Sequence, residues 1–426
     1  MLLQFNFRNF KSFRDDTTLD LTATKITEYS SHVVPIGNEK LLPVAVIFGA
    51  NGSGKSNVID AFKYMATYVV TSFAYGGEKN NKRNSKKGKA GFLKPTPFLF
   101  DSNSLNLESS FEVYFVDAEE NGNKFYNYGF TVGQNGINEE WLNCKSKSSR
   151  KGYKRIFYRD NKSLDLSGIT PKSRENIRIA LEKETLIVSL GAKLKIPELK
   201  NIRDWFLNNE IINFGNIYEG FFMSSKPPDG FVENEAVQKK IVDYFSAFDA
   251  AIVGFDVEII EQSNDDDKTK TVRIDAVHKM IGSEQTATLP LELESRGTLK
   301  MFALYQFLKD VLDTGGVFFL DELNSQLHPL LVRAFVTTFL NPEINKKHAQ
   351  LIFTSHDSWL LNSNLLRRDE VWFTEKSAEG ISTLYSLADF ADVDGVKIRK
   401  DENHAKNYLL GKYGAIPALK HLFREE

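Results

Sequence analysis

The chain has 426 residues, of which 42% are hydrophobic and 26% are charged, so it can bury a substantial core as one large domain or two lobes. Its formal net charge of −2 gives no overall attraction to nucleic acid, and a single cysteine, Cys144, excludes an internal disulfide framework. The sequence shows no run of about 18 apolar residues and no charged-then-apolar leader, which predicts a cytoplasmic protein without a membrane span.

The clearest motif lies between a predicted strand and a predicted helix. Residues 44–48, with the sequence VAVIF, indicate a buried parallel strand, and apolar residues from Val58 to Val69 recur at helical spacing. Between them, residues 49–56 read GANGSGKS and match the phosphate-loop pattern GxxxxGK[ST]. In such a loop, backbone N–H groups and a lysine bind the phosphates, while a hydroxyl can hold Mg²⁺. The predicted ATP-binding residues are Gly49, Asn51, Gly52, Gly54, Lys55 and Ser56, and Ser56 is also a predicted Mg²⁺ ligand.

Two basic segments follow the phosphate loop. Residues 76–91 form a polar stretch that contains the cluster 79–89, and a second cluster covers 145–155 after a predicted strand around Trp141. Lys and Arg in such clusters can neutralise a nucleic-acid backbone. Solvated loops are the commoner use of such segments, and a regulatory RNA or an acidic partner protein fits equally well.

The middle of the chain changes from strands to helices. Alternating apolar residues in 110–116 and 125–132 predict antiparallel strands, whereas 170–250 shows mainly helical spacing without the sustained heptads of a coiled-coil arm. Further strands are predicted near 252–262 and 270–278. The acidic run between those two strands is compatible with a carboxylate metal site, although a hairpin turn is the commoner use of such residues.

A second candidate anion site lies at the start of a later helix. Residues 294–298 read ESRGT and precede an apolar helical face. Free N–H groups and the positive end of the helix dipole favour a phosphate at such a position, which predicts Ser295 and Gly297 as nucleotide-binding residues. Taken alone, the segment would be explained equally well by a capped helix start with nothing bound.

A third motif ends a buried strand in two acids. Residues 317–320 read VFFL and are followed by Asp321 and Glu322, as in a Walker B site. Asp321 is predicted to hold Mg²⁺, directly or through water, and Glu322 to accept the proton of the attacking water. Two acids that merely cap the next helix are the alternative.

A fourth motif is a histidine after another buried strand. Residues 350–354 read QLIFT, and His356 follows at the end of a strand expected to neighbour the Walker B strand. An imidazole there can donate to a γ-phosphate, which predicts His356 as a switch histidine. Lone histidines are otherwise surface or satisfied core residues.

With these four motifs in order, the chain resembles the ABC-type ATPases of the structural-maintenance-of-chromosomes, RecF and overcoming-lysogenization-defect group. It is most similar to the compact ATPases of bacterial anti-phage and abortive-infection systems. The stretches 3–13, 321–329, 367–373 and 407–417 are also similar to this group. The resemblance implies an α/β fold: an ABC-type P-loop nucleotide-binding domain, with a mixed sheet and flanking helices, that carries an inserted mainly helical lobe.

The spacing of the motifs predicts four parts. Residues 1–165 form the N-terminal part of the ATPase head, and 166–250 form the inserted helical lobe. Residues 251–390 return to the head with the signature, the Walker B site and the switch histidine. Residues 391–426 form a C-terminal helical tail, in which no TOPRIM-like nuclease pattern of clustered acids is recognisable.

The resemblance also implies a head-to-head homodimer, or a higher oligomer, with two ATP molecules at the interface. Each nucleotide would lie on Lys55 and Ser56 of one subunit and beneath Ser295 and Gly297 of the other. Two positions depart from the family pattern. Arg296 stands in the middle of the signature, and Asn324 replaces a common Asp after Walker B, and either change can slow hydrolysis.

The functional expectation is an ATP-hydrolysing switch subunit of a prokaryotic anti-phage defence system of the abortive-infection or toxin–antitoxin-like kind. It would control a separate effector, such as a nuclease or a toxin, through ATP-dependent dimerisation. A RecF-like DNA-binding clamp in repair is the alternative. A third possibility is a scaffold that binds ATP only as a structural ligand.

Overall fold

The computed structural model describes residues 1–75, 92–116, 124–149, 151–215, 227–264, 267–362, 364–390, 398–399 and 402–417. The strands are β1 (Leu2–Arg8), β2 (Thr17–Asp20), β3 (Val34–Ile36), β4 (Glu39–Leu41), β5 (Val44–Gly49), β6 (Ser109–Val116), β7 (Lys124–Gly133), β8 (Gly136–Ser146), β9 (Lys154–Arg159), β10 (Leu164–Asp165), β11 (Glu210–Asn213), β12 (Ile252–Asn264), β13 (Asp267–Lys279), β14 (Thr286–Pro290), β15 (Val317–Asp321), β16 (Gln350–Thr354), β17 (Val371–Lys376) and β18 (Ser382–Ser386).

The α-helices are α1 (Lys55–Thr71), α2 (Pro171–Ala180), α3 (Ile187–Lys193), α4 (Pro197–Leu207), α5 (Glu235–Phe245), α6 (Arg296–Thr314), α7 (Pro329–Leu340) and α8 (His404–Leu409). Short 3₁₀ helices cover Ser30–His32, Ser72–Ala74, Ser104–Asn106, Leu291–Leu293, Ser358–Asn362 and Arg368–Glu370. None of the helices in the described ranges is long and apolar enough to cross a bilayer.

The larger sheet is antiparallel and has the order β10-β9-β8-β7-β6-β1-β2. Strand β6 alternates buried and partly exposed residues, and Phe111 of β6 lies opposite Phe130 of β7. One face of the sheet covers the core, as period-2 patterning requires. The predicted antiparallel strands of this region are therefore present.

The second sheet has the order β11-β15-β16-β5-β17-β18, and its first five strands are parallel. The strands β5, β15 and β16 are fully buried, which explains their continuous apolar sequences. Because these strands are parallel, the phosphate loop, the Walker B acids and His356 all follow the same edge of the sheet. This arrangement confirms the predicted α/β fold.

Helix α1 lies between the two sheets. Phe62 on this helix stacks on Phe319 of β15 with 4.1 Å between ring centroids, and it meets Phe5 of β1 edge-on at 5.3 Å. One core therefore joins the antiparallel sheet to the parallel sheet through the helix that begins in the phosphate loop. The other face of the parallel sheet is covered by α6 and α7, which contribute Leu304 and Val336 to a second core.

A smaller core lies beside α6. The strands β12, β13 and β14 form a three-stranded antiparallel sheet that packs with α5. Its buried residues include Phe245 of α5, Phe255 of β12 and Phe302 of α6. Helix α6 thus belongs to two cores, because Phe302 faces this smaller sheet while Leu304 faces the parallel sheet.

The structure differs from the expected helical lobe in one respect. Within 166–250, β11 pairs with β15 at the edge of the parallel sheet, and Trp205 of α4 stacks on Phe115 of β6. A four-residue strand is too short to be recognised among helices, and an apolar helix face does not reveal its partner. Residues up to 213 therefore pack with the head, whereas the division into four domains otherwise stays a prediction.

Several predicted features lie outside the described residues. They include the basic cluster 79–89 and half of the predicted tail 391–426, of which 398–399 and 402–417 are described. The strands β12 and β13 pair up to Asn264 and Asp267, as expected for a hairpin. In the described part of the chain, no group of three or more His, Cys, Asp or Glu side chains is arranged to hold a metal ion.

Candidate functional site

The phosphate loop connects β5 to α1 through two closely packed glycines. Gly49 has a φ of 153°, and a Cβ there would lie 2.5 Å from the carbonyl oxygen of Thr374. Gly54 has a φ of 114°, and a Cβ there would lie 2.6 Å from Oγ of Ser382. Any side chain at these positions would strain the backbone and collide with the neighbouring strands. Glycine at both positions therefore lets the loop lie directly against β17 and β18.

Hydroxyl groups fix the loop to its surroundings. Ser53 Oγ and Thr374 Oγ1 are 2.6 Å apart, while Ser382 Oγ lies 2.6 Å from the carbonyl oxygen of Ser53. Ser382 Oγ also lies 2.7 Å from Ser12 Oγ, and Asn57 Nδ2 donates to Ser12 Oγ at 2.7 Å. The opening stretch 3–13 therefore contacts the phosphate loop, although sequence alone gave it no place in the site.

Lys55 is the buried cation of the loop. Its ammonium donates to the carbonyl oxygens of Gly49 at 2.9 Å and Ala50 at 3.0 Å. Burial lowers the pKa of Lys55 to about 8, against the opposing effect of the carboxylates of Asp321 and Glu322. A phosphate group beside this ammonium would favour its charged form, so the site suits a polyanion.

A cavity of about 630 Å³ opens beside the loop. It is lined by Asn51, Gly52, Gly54, Lys55, Ser56, Asn57, Glu322, His356 and Lys376. It thus combines most of the predicted phosphate-loop residues with the predicted base and switch histidine. Lys376 and Asn57 are additional residues that sequence reasoning missed. Lys376 reaches the cavity because β17 pairs with β5, with Thr374 opposite Gly49, and only the topology reveals that pairing.

Asp321 ends β15 and directly precedes Glu322, which lines the cavity. The side chain of Asp321 is nearly inaccessible, and Oδ1 accepts a 2.6 Å hydrogen bond from Thr354 Oγ1. The same threonine oxygen accepts a 2.7 Å hydrogen bond from the backbone N–H of Glu322. The hydroxyl of Ser56 and the carboxylate of Asp321 are oxygen donors of the kind Mg²⁺ prefers.

Glu322 adopts an uncommon backbone conformation. Its φ is 55°, in the left-handed region that non-glycine residues rarely occupy. Its side chain lines the cavity, and a Cβ built on Gly215 would lie 3.2 Å from the Glu322 carboxylate. Gly215 follows β11 and keeps space beside this acid. A larger residue than glycine at position 215 would therefore displace the Glu322 carboxylate.

His356 is far from the phosphate loop in sequence, but it lines the same cavity as Gly52 and Gly54. Partial burial lowers the pKa of His356, and the Lys55 ammonium lowers it further. Its backbone N–H donates to Asn324 Oδ1 at 3.3 Å. A neutral imidazole at this place has one N–H to donate and one nitrogen to accept.

The signature residues do not line this cavity. Ser295 caps α6, because its Oγ accepts a 3.1 Å hydrogen bond from the N–H of Thr298. Ser295 is exposed, and neither Ser295 nor Gly297 lines the cavity. The chain therefore does not bring these two residues to its own phosphate loop.

The described part of the second basic cluster is partly engaged within the chain. Lys145 Nζ donates to Glu39 Oε1 at 3.0 Å and lies 5.1 Å from the ring centroids of Phe125 and Tyr153. Arg150 lies outside the described residues. Lys145 is therefore held by neighbouring strands and has less freedom to meet a phosphate backbone.

A parallel sheet with a phosphate loop and a Walker B acid pair defines a P-loop nucleotide-binding protein. A family model described as "AAA domain, putative AbiEii toxin, Type IV TA system" matches residues 44–362. The chain belongs to that family, which confirms the resemblance to ATPases of abortive-infection systems.

Other comparisons add less. No match was found among curated proteins. Among solved structures, the recombination mediator protein RecF-ATPrS in the RecFOR pathway is 11% identical, with a TM-score of 0.28, over 90% of this chain and 98% of that chain. The RecF-ATP structure is 12% identical, with a TM-score of 0.27, over 90% and 97%. These TM-scores are too low to carry an inference about function.

Proposed function

We propose that this chain is an ATP-hydrolysing switch that works as a dimer. The observation that carries the proposal is the separation of its two sets of predicted nucleotide-binding residues. Lys55, Ser56, Glu322 and His356 line one cavity, whereas Ser295 is exposed and does not line it. A second copy of the chain can supply the missing signature to that cavity.

Each residue of the cavity has a proposed part in hydrolysis. The loop N–H groups and Lys55 bind the phosphates, and Ser56 and Asp321 would hold Mg²⁺, which would supply positive charge beside the phosphate oxygens. Glu322 accepts the proton of the attacking water, and His356 donates to the γ-phosphate. Positioning and charge neutralisation are the main requirements of phosphoryl transfer, and these groups supply one subunit's share of them.

The signature end of α6 is proposed to close over the partner's nucleotide. The first N–H groups of a 19-residue helix and its positive dipole end favour a phosphate near Ser295 and Gly297. Arg296 is exposed at the same end and adds a positive charge. Because the γ-phosphate would contact both subunits, ATP favours the closed dimer and hydrolysis releases it.

The biological role is proposed from the family. Its description names a putative AbiEii toxin and a type IV toxin–antitoxin system. By extension, the switch belongs to a prokaryotic anti-phage defence system and controls a separate effector, such as a nuclease or toxin. Dimer closure would hold or release that effector according to the bound nucleotide.

Steady-state ATP hydrolysis by wild type, Glu322→Gln and the exposed-site control Glu343→Gln tests the proposal, with molar mass followed by light scattering. Loss of a general base commonly lowers turnover by about 10²–10⁴-fold, so Glu322→Gln should be slow and remain a dimer in ATP, while Glu343→Gln should match wild type. Equal turnover by all three proteins would contradict hydrolysis at this site and favour a structural ligand. Strong stimulation by duplex DNA would favour the RecF-like clamp instead.

A further inference from the structure

Lys300 is a second buried lysine, and it lies on the signature helix α6 rather than in the phosphate loop. Only 5% of its surface is exposed. Its ammonium donates to the carbonyl oxygens of Ser325 at 2.8 Å, Leu323 at 2.9 Å and Glu322 at 3.1 Å. All three N–H donors are therefore directed at the short segment after the Walker B strand, residues 322–326, which we call the base loop.

The surroundings of Lys300 show that this arrangement is costly. The ammonium lies 4.0 Å from the ring centroid of Phe214, and burial lowers the pKa of Lys300 to about 7. A buried charge loses its hydration, and an apolar side chain of similar length would fill the same space without that loss. What the ammonium provides, and an apolar side chain cannot, is a fixed position for three backbone carbonyls.

The base loop has a backbone that needs such support. Glu322 and Gln326 have φ values of 55° and 64°, both in the left-handed region that non-glycine residues rarely adopt. Helix α6 touches the loop a second time, because a Cβ on Gly297 would lie 3.1 Å from the carbonyl oxygen of Gln326. The first turns of the signature helix thus contact both ends of the loop.

The opposite side of the base loop contacts the rest of the cavity. The N–H of Glu322 donates to Thr354, and Asn324 Oδ1 accepts from the N–H of His356. The loop therefore lies between α6 on one side and the strand end that carries the switch histidine on the other. A displacement of α6 relative to the loop would alter the backbone on which Glu322 is mounted.

We infer that Lys300 is a positioning residue that couples the signature helix to the orientation of Glu322. This inference rests on the proposed function, in which the start of α6 binds the partner's nucleotide. When α6 engages that nucleotide, Lys300 carries the shift to the base loop and aligns the base of its own subunit. Each subunit would then hydrolyse its ATP faster while its signature is occupied, which links the two sites of the dimer.

The test compares Lys300→Met with Lys309→Met, a control on the exposed side of the same helix, and with Lys300→Arg, which retains a cation. The measurements are kcat, the Kd of a fluorescent ATP analogue, and amide hydrogen exchange of the base loop. For Lys300→Met we expect kcat to fall about 10- to 100-fold, because misplacing a catalytic group by about 1 Å has such an effect. The Kd should change by less than about twofold, and base-loop exchange should rise. Lys300→Arg should be intermediate and Lys309→Met like wild type.

An unchanged kcat and unchanged base-loop exchange in Lys300→Met would overturn the inference, as would a parallel loss of nucleotide affinity. If wild type itself fails to hydrolyse ATP, the proposed function fails. The difference in base-loop hydrogen exchange between wild type and Lys300→Met still decides whether Lys300 holds the base loop. Should Lys300→Met not fold, Lys300→Arg decides the question, because a planar guanidinium cannot direct its donors at the three carbonyl oxygens as the ammonium does. That variant should lower kcat about two- to fivefold at constant Kd and raise base-loop exchange, and wild-type values of both would contradict the inference.

Discussion

Thr354 donates a 2.6 Å hydrogen bond to the buried carboxylate of Asp321. Its hydroxyl oxygen also accepts the N–H of Glu322 at 2.7 Å. One side chain at the end of β16 therefore orients the proposed metal ligand and fixes the peptide of the proposed base. Such outer contacts decide how well a ligand or a base is aligned.

Replacement of this hydroxyl tests its importance. Thr354→Val keeps the shape of the side chain but removes both hydrogen bonds, so turnover should fall about 10- to 100-fold and the Mg²⁺ concentration for half-maximal activity should rise. Thr354→Ser restores the hydroxyl and should behave nearly as wild type. Steady-state hydrolysis across a Mg²⁺ titration measures both effects. A valine variant with wild-type Mg²⁺ dependence would show that the hydroxyl does not orient Asp321.

ATP affinity should depend on the protonation of Lys55. Burial places its pKa at about 8, and a bound polyphosphate favours the charged form. ATP binding should therefore take up a proton above pH about 8, and affinity should decrease as pH rises through that value. Calorimetric titrations at pH about 9, in buffers with different ionisation enthalpies, measure this uptake. The same uptake in Lys55→Met would assign the proton to another group.

The same pKa has a consequence for folding. The folded-state pKa of Lys55 is lowered from the ordinary value of 10.5, so the unfolded chain binds more protons between pH about 8 and 10.5. This group therefore contributes a free energy of unfolding that increases with pH across that window. Subtracting the unfolding curves of Lys55→Met from those of wild type isolates the contribution, and a difference that decreases with pH would contradict it.

Lys376 should contribute to nucleotide affinity. It is exposed at the end of β17 and lines the same cavity as Lys55 and Asn57. A solvent-screened contact with a phosphate would make Lys376→Met raise the Kd of ATP about 3- to 10-fold, and the effect should shrink at high salt. Fluorescence titration checks this against Lys94→Met, an exposed lysine outside the cavity. Equal Kd values at low salt would remove Lys376 from the site.

The stability of the head should depend on Arg367, which is fully buried before β17. Its guanidinium makes two 2.8 Å hydrogen bonds to Asp369 and donates to the carbonyl oxygen of Glu28 at 2.6 Å. Arg367→Met leaves the carboxylate of Asp369 buried without its cation, which should cost about 3–5 kcal/mol of unfolding free energy. Chemical denaturation measures this value. Arg178→Met, at an exposed helix position, should stay within about 0.5 kcal/mol, and an equal loss there would refute a specific role for the buried pair.

Much of the nucleotide sheet could be predicted from the sequence. The apolar runs before Gly49, Asp321 and Ser355 are strands β5, β15 and β16, because strands buried on both faces are continuously apolar and are limited by motif residues. The capped start of α6 at Ser295 also follows from local chemistry. These elements carry their signals within a few neighbouring residues.

What the sequence did not reveal depends on long-range packing. Strand β11 is recognisable only from its pairing with β15. In the sequence, Lys300 and Lys376 resemble solvent-facing residues of a helix and a strand. In the structure, Lys300 is buried against the base loop, and Lys376 lines the cavity. Such positions are decided by which surfaces meet, and periodicity does not encode that information.

Subunit complementation tests the composite site most directly. Lys55→Met disables the phosphate loop, and Ser295→Arg disables the signature, so each pure variant should be nearly inactive. A mixed dimer contains one intact site, and half of the dimers in an equimolar, freely exchanging mixture are mixed. Hydrolysis by the mixture should therefore rise clearly above that of either pure variant, to at most about a quarter of the wild-type rate, because the intact site works beside an empty signature. Light scattering confirms that dimers form. Full activity of Ser295→Arg alone, or mixed dimers as inactive as the pure variants, would contradict a nucleotide site shared between two copies of this chain.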